Sequence, residues 1–386
     1  MSLIHNTGLF MKDQSFNYRN RLEKVQHRLT KKSYDGYMVC NAENRHYLTG
    51  FFADDHFINE ISGYLFITEK NVLLATDSRY ALQAKNQTEG IDVACFNKFP
   101  KDFIPEILRK MEIHSLGFES HRISVELHNK LQRSLLDQDL NVQLIPDPNF
   151  VGDDRCVKEV GELDAIKKAL HIAEQAFMRM LESITPKMTE KEIAWQLECE
   201  LRQGGADSLS FDTIVASGPN AALPHAVPTD RVVGEKTPIL FDWGARLNGY
   251  CSDTSRTIVF GRPDQNFIDA YNILVETQKM ATDSAITGNK TKEIAQIANN
   301  FLEDRGYKET KFAHGLGHGV GLATHEMPTL SLLKDSTLEK HSVVTIEPGI
   351  YMPNQWGIRL ENMIVVKDKH SQVLNQLPVQ YNMIKL

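Results

Sequence analysis

The 386-residue chain is 41 % hydrophobic and 24 % charged, proportions that allow a sizeable buried core and suit two domains better than one. Its net charge of −7 argues against a nucleic-acid binder, which needs a basic surface to neutralise phosphates. No stretch reaches the roughly 20 apolar residues of a membrane helix, and the N-terminus lacks the compact apolar run of a secretory signal.

Residues 1–17 read as a flexible leader. Residues 18–33 form an amphipathic basic helix by their spacing, followed by an apolar run at Tyr37–Cys40 and strand patterns at Ile61–Thr68 and Asn71–Ala75. Phe103–Met111 has helical spacing. This alternation predicts a small α/β domain over residues 18–152, its boundary marked by the Pro-rich segment Ile145–Phe150. From residue 153 to the end the pattern is that of a second domain. Glu162–Ile184 repeats apolar residues at helical spacing, and Thr189 with Glu192 is a capping box opening a helix that should end near Gly204 and Gly205. After Leu209 short strands dominate, interrupted by helices near Phe267–Ala285 and Thr291–Arg305. Five scattered cysteines (40, 95, 156, 199 and 251), with no CxxC pair, fit reduced thiols and a cytoplasmic protein.

The chemistry-bearing residues lie in the second domain. In PILFDWGARLNGYCSDTSRTIVFG, two apolar arms flank Asn248-Gly249, a strong hairpin signal. Pairing parity across a two- or four-residue loop puts Asp242 and Asp253 on one face, opposite each other or one diagonal step apart. Like charges so placed call for a cation between them, although one aspartate could instead cap a turn and the other be solvated. A second hairpin, VVTIEPGIYMPNQWGIRLENMIVV, carries Glu347 and Glu361 on its apolar arms around a polar tip at residues 353–357. Such carboxylates are costly unless paired or metal-bound. FAHGLGHGVGLATHEMP sets His314, His318 and His325 among glycines in what reads as a strand, and His225 lies in the turn-rich loop SGPNAALPHAVP. An Asp, Asp, His, Glu, Glu set suits Mn²⁺, Co²⁺, Fe²⁺ or Zn²⁺. Two carboxylate-bridged metals can activate water and polarise a carbonyl.

These motifs resemble the creatinase/prolidase/methionine-aminopeptidase family, and most of all its Xaa-Pro peptidases, aminopeptidase P and prolidase. DWGARLNGYCSDTSRT, HGLGHGVGLATHEMP, IEPGIY and GIRLEN carry the likeness, with SGPNAALPHAVP upstream. The resemblance implies an α/β two-domain chain: a small creatinase-like N-terminal domain and a pita-bread α+β catalytic domain. It implies two divalent metals per chain, manganese first among the candidates. Asp242 would bind one metal, Asp253 and Glu361 would bridge the pair, and His318 and Glu347 would complete the ligand set of the second metal. In the family's scheme a bridging hydroxide attacks the scissile carbonyl with Glu347 as proton shuttle. His225 and His325 resemble the histidines that hold substrate and stabilise the tetrahedral intermediate, and His314 the residue lining the proline pocket. Arg359 would pair with nearby carboxylates and orient them.

The implied reaction is release of an N-terminal residue before proline from a peptide, by a homodimer acting on neither nucleic acid nor membrane. One departure bears on substrate length. Many prolidases follow HExP with an arginine that grips a dipeptide's carboxylate, whereas Thr329 stands here, favouring longer peptides. Two alternatives remain open at this stage: a creatinase-like or ectoine hydrolase-like enzyme acting on a small non-peptide C–N substrate, and a non-catalytic binding protein of the same fold.

Overall fold

In the computed structural model, the described residues are 16–53, 55, 57, 58 and 60–380. The expected leader lies outside them except for Phe16, which is buried, and Asn17, which caps the first helix. The chain divides into two compact units between Asp154 and Arg155.

The first unit is a six-stranded mixed sheet with helices. In sheet order its strands are Asp92–Cys95, Val72–Thr76, Gly63–Thr68, Gly36–Val39, Ser115–Phe118 and Gln143–Pro146. Gly36–Val39 runs parallel to Ser115–Phe118, which runs parallel to Gln143–Pro146. The expected first helix stops at Leu29, and three unforeseen helices appear: Ala42–Thr49, Ala81–Gln87 and Val125–Asp137. Two of them start at caps, Asn41 and Ser124, that accept from the backbone three residues on. Ala42–Thr49 was hidden because its buried face carries Asn44 and Arg45 rather than an apolar stripe. Arg45 instead forms a fully buried ion pair with Asp55 at 3.1 Å.

The second unit opens with the paired helices Val160–Leu181 and Glu190–Gln203, followed by a second pair, Gln265–Ser284 and Thr291–Glu303. The Thr189–Glu192 capping box is present, and Gly204 ends its helix. Between the pairs lie strands Ile214–Ser217, Pro238–Trp243 and Thr254–Val259, joined in one antiparallel sheet. Side chains alternate across this sheet as the period of two requires. Val215, Ile239, Phe241 and Trp243 pack with the first helix pair, while Ile214, Ala216 and Leu240 belong to the core of the second. Asp242 shares the second face with Leu240.

A five-stranded sheet carries Glu326–Leu330, Gly317–Gly319, Val343–Ile346, Asn362–Val365 and Gln372–Val373, in that order. The ladder Gly349–Met352 with Trp356–Arg359 extends the arms of Val343–Ile346 and Asn362–Val365. Trp356 and Gly357, expected in the turn, are therefore strand residues, and the tip is Pro353, Asn354 and Gln355. Of the three histidines expected in one strand, only His318 lies in a strand.

Candidate metal centre

Each of the two long hairpins keeps one register along its length and interrupts its ladder, the first at Asp253 and the second at Glu347 and Glu361. In the first, Asp242 faces Ser255 and Trp243 faces Thr254; the ladder resumes with Arg246 opposite Cys251 and ends at Leu247 opposite Tyr250. Asn248 and Gly249 turn with φ of 52° and 83°, the left-handed geometry of a tight two-residue hairpin. Asp253 sits in the gap beside Gly244, one diagonal step from Asp242. A Cβ on Gly244 would come within 2.0 Å of the Ser252 carbonyl oxygen, so only glycine fits. In the second hairpin Ile346 faces Asn362 and Gly349 faces Arg359, which sets Glu347 and Glu361 opposite each other in the gap. Carboxylates in such gaps leave the strand ladders and turn to one face.

The hairpins meet there. Glu361 N–H donates to the Ser255 carbonyl at 3.2 Å, and Ser255 Oγ donates to Glu361 Oε2 at 2.9 Å. Gly317 lets the His318 strand close in, since a Cβ on it would lie 2.0 Å from the Thr345 carbonyl oxygen. Oxygen atoms of Asp242, Asp253 and Glu361 lie within 4.8 Å of one another, and so do ligand atoms of His318, Glu347 and Glu361. Glu361 is common to both groups. His318 Nε2 stands 3.6 Å from Asp253 Oδ2 and 3.4 Å from Glu347 Oε1. The five residues named from the sequence are thus brought into one cluster. His325, just before the strand Glu326–Leu330, joins it, its ring edge-to-face with His318 at 4.1 Å.

The cluster is electrostatically incomplete in a way that fits two divalent cations. Four carboxyls face one guanidinium, Arg359, whose Nη2 donates to Asp242 Oδ2 at 2.5 Å. Asp253 is 4 % exposed and Glu361 1 %. Burial, and after it the charge of Glu361, pushes the Asp253 and Glu347 carboxyls well above the ordinary range. Glu361 is pushed up to about 8 by burial and then by Asp242. Asp242 Oδ1 is buried with no hydrogen-bond partner. His318 is held down to about 3, by burial first and then by His325, so its ring is neutral. Its Nδ1 lies 3.1 Å from the Gly319 carbonyl, which can only accept. The proton therefore sits on Nδ1, and Nε2 turns a lone pair toward two carboxyls, the tautomer a metal ligand needs.

Around this cluster lies a cavity of about 740 Å³ whose lining residues all belong to the second unit. His225, His314, His325, Thr329 and Arg359 line it with the five cluster residues. His314 is half-buried and held down to about 4 by its desolvation. Its Nδ1 donates to the Gly315 carbonyl at 2.7 Å, leaving Nε2 to accept from Tyr351 Oη at 3.1 Å. Tyr351 in turn accepts from Arg359 Nη1 at 3.0 Å, which completes a relay Asp242–Arg359–Tyr351–His314. Burial also lowers His325.

Sequence reasoning missed Ser255, Tyr351 and Arg256. Ser255 had a signal, because it lies two residues from Asp253 on the same face. The other two had none. Arg256 is wholly buried and donates to the backbone carbonyls of Glu361, Leu377 and Pro378 and to Asn362 Oδ1, tying the Glu361 arm to the neighbouring strand.

Comparison with known proteins agrees with this geometry. Residues 164–368 match the model of Metallopeptidase family M24, and residues 21–157 that of the Creatinase/Prolidase N-terminal domain. The chain is 32 % identical to an Xaa-Pro dipeptidase from Pyrococcus furiosus, covering 93 % of this chain and 98 % of that one. Two solved structures superpose closely. One is an Xaa-Pro dipeptidase from Bacillus anthracis, with a TM-score of 0.87, 31 % identity and coverage of 94 % and 99 %. The other is an X-Pro aminopeptidase from Thermotoga maritima, with a TM-score of 0.84, 34 % identity and coverage of 93 % and 98 %.

Proposed function

The chain belongs to metallopeptidase family M24, and from that premise we propose that it hydrolyses the bond between an N-terminal residue and a following proline. The observation that carries this reading is the pair of overlapping ligand groups sharing Glu361, set on the floor of a cavity of peptide-binding size. Asp242, Asp253, His318, Glu347 and Glu361 would hold two divalent ions, with manganese the first choice for an oxygen-rich set with one imidazole. When bound, such a pair supplies a Lewis acid for the scissile carbonyl and lowers the pKa of water.

The remaining work falls to the chain's own side chains. Glu347, beside His318 and open to the cavity, carries the proton from water to the leaving proline nitrogen. His225 and His325 hold the substrate and donate to the oxyanion that forms at the carbonyl. His314, oriented by Tyr351, walls the site for the proline ring. Arg359 fixes Asp242 and keeps part of the negative charge compensated.

The cavity wall favours aminopeptidase action on peptides longer than two residues. Among the described residues it contains no lysine, and the one arginine lining it, Arg359, is committed to Asp242, Ser255, Tyr351 and the Pro224 carbonyl. Thr329 stands on the same wall. Among the described residues of that wall, no lysine or arginine is placed to receive a dipeptide's terminal carboxylate. The proposal includes a cytoplasmic homodimer. Among the described residues, no helix is long and apolar enough to cross a membrane.

Asp253→Ala and Glu361→Ala test the assignment. Each should abolish peptide hydrolysis and stoichiometric Mn²⁺ binding while leaving far-UV circular dichroism and cooperative unfolding in place. Retained turnover in either variant would sink it.

A further inference from the structure

Glu190, at the start of the helix Glu190–Gln203, is completely buried and lines no part of the cavity. Its Oε1 accepts from Ser217 N–H at 2.6 Å and Ser217 Oγ at 2.9 Å. Its Oε2 accepts from Asn220 Nδ2 at 2.8 Å, Thr229 N–H at 2.9 Å and Thr229 Oγ1 at 2.6 Å. All five donors are neutral, and they come from the two ends of one segment, residues 217–229. Near the middle of that segment stands His225.

Ser217 ends the strand Ile214–Ser217 and Gly218–Ala222 is one short 3₁₀ turn, but from Leu223 to Thr229 the segment has no ladder or helix. Two backbone bonds, Leu223 N–H to the Asn220 carbonyl and Ala226 N–H to the Leu223 carbonyl, both 3.1 Å, help to shape it, and side chains tie it down. Glu190 closes the base, Asn220 Nδ2 also donates across it to the Val227 carbonyl at 3.2 Å, and Arg359 holds the Pro224 carbonyl at 2.9 Å. The backbone beside Glu190 adds Lys191 N–H to the Thr229 carbonyl at 3.2 Å. The residue before His225 is thus fixed by the arginine of the metal cluster, and both ends of its loop by a single carboxyl.

We infer that Glu190 is a positioning residue for His225, acting through the loop and not on the substrate; the kinetic consequence rests on the peptidase reading above, the geometry does not. Five donors saturate the roughly four lone-pair sites of a carboxyl. Glutamine has the same shape, but its NH₂ group would point at donors whichever way it turned, opposite Ser217 or opposite Asn220 and Thr229. Buried donors that lose their acceptor draw in water or move. A shift on the order of 1 Å in a substrate-contacting group is enough to cost about 100-fold in rate.

The test compares the Mn²⁺-loaded wild type, Glu190→Gln, His225→Ala and the double variant. Metal content should be equal in all four, because none of the five ligands lies on the loop. Glu190→Gln should lower kcat by about 10- to 100-fold with a smaller change in KM. The double variant should be no slower than His225→Ala alone, since the two residues act as a unit. Amide hydrogen exchange in residues 217–229 should accelerate in Glu190→Gln while residues 238–259 stay protected. Wild-type kcat and exchange in Glu190→Gln would overturn the inference, and so would a double variant whose loss is the product of the single losses. Should the wild type cleave no Xaa-Pro peptide, the peptidase reading falls and the exchange comparison alone decides Glu190. If Glu190→Gln does not fold, Thr229→Val removes one donor and takes its place in both measurements.

Discussion

Tyr351 joins two groups to which the proposed mechanism gives separate tasks, the arginine beside the carboxylate cluster and the histidine proposed to wall the proline ring. Its hydroxyl accepts from Arg359 and donates to His314, so both its proton and a lone pair are in use. Tyr351→Phe leaves His314 Nε2 without a donor and Arg359 Nη1 with one acceptor fewer. Each lost bond is worth about 1 kcal/mol, more where the donor is charged. The variant should lose on the order of 10-fold in kcat/KM for a proline peptide while binding the same amount of Mn²⁺. Steady-state kinetics with metal analysis checks this, and a loss of metal would show instead that the hydroxyl supports the cluster. The four clustered carboxyls were legible in the sequence as candidates, because a carboxylate on an apolar hairpin arm announces itself by its cost. Tyr351 and Arg256 were not. A tyrosine and an arginine within strand patterns look like ordinary half-buried residues, and partners such as the Leu377 carbonyl are fixed only by the tertiary fold.

At the scale of elements, the strand Glu326–Leu330 is anchored to the first residues of its unit by a buried charge cluster. Glu326 pairs with Lys158 at 2.6 Å and with Arg155, all three nearly inaccessible. Burial works against the Glu326 carboxylate, but the Arg155 guanidinium and the Lys158 ammonium outweigh it and hold the group below the ordinary range. A depressed carboxyl pKa stabilises the fold above the unfolded value, roughly 4.5, and that contribution is lost as pH falls through the lower folded value. Glu326→Gln should therefore cost about 3–5 kcal/mol at neutral pH, since it leaves two buried cations without their carboxylate. In thermal unfolding across pH, the gap between wild type and variant should close below pH ~4.5. A gap that stays constant into strong acid would contradict the ion-pair account. The sequence showed Glu326 only as part of a motif, because the partners lie about 170 residues earlier. Hairpin parity, by contrast, was readable from Asn248-Gly249, and the observed diagonal placement of Asp242 and Asp253 is one of the two it allowed. What parity could not show is that the ladders open at Asp253, Glu347 and Glu361, or that Ser255 Oγ of one hairpin donates to Glu361 of the other.

Across the whole chain, the α/β class of the first unit was legible from periodicity and the α+β class of the second from its motifs' resemblance to a family, and the match to relatives spans 98–99 % of their lengths. Most of the longer helices were found to within a few residues. Ala81–Gln87 and Val125–Asp137 were not, nor was Ala42–Thr49, whose buried face mixes Asn44 and Arg45 with Tyr47 and Leu48. Substrate choice is the least legible level, since a dipeptidase and an aminopeptidase resemble this chain about equally well. It depends on the cavity wall and not on the fold. The most direct measurement is hydrolysis of Ala-Pro, Ala-Pro-Ala and Ala-Ala-Ala by the Mn²⁺-loaded protein, followed by chromatography of the products. The account predicts release of alanine from Ala-Pro-Ala with little action on Ala-Ala-Ala, and weaker cleavage of Ala-Pro. Cleavage of Ala-Pro alone would contradict the reading of Thr329 and the cation-poor wall. Survival of all three with two metals bound would contradict the peptidase assignment itself and turn attention to small non-peptide amides.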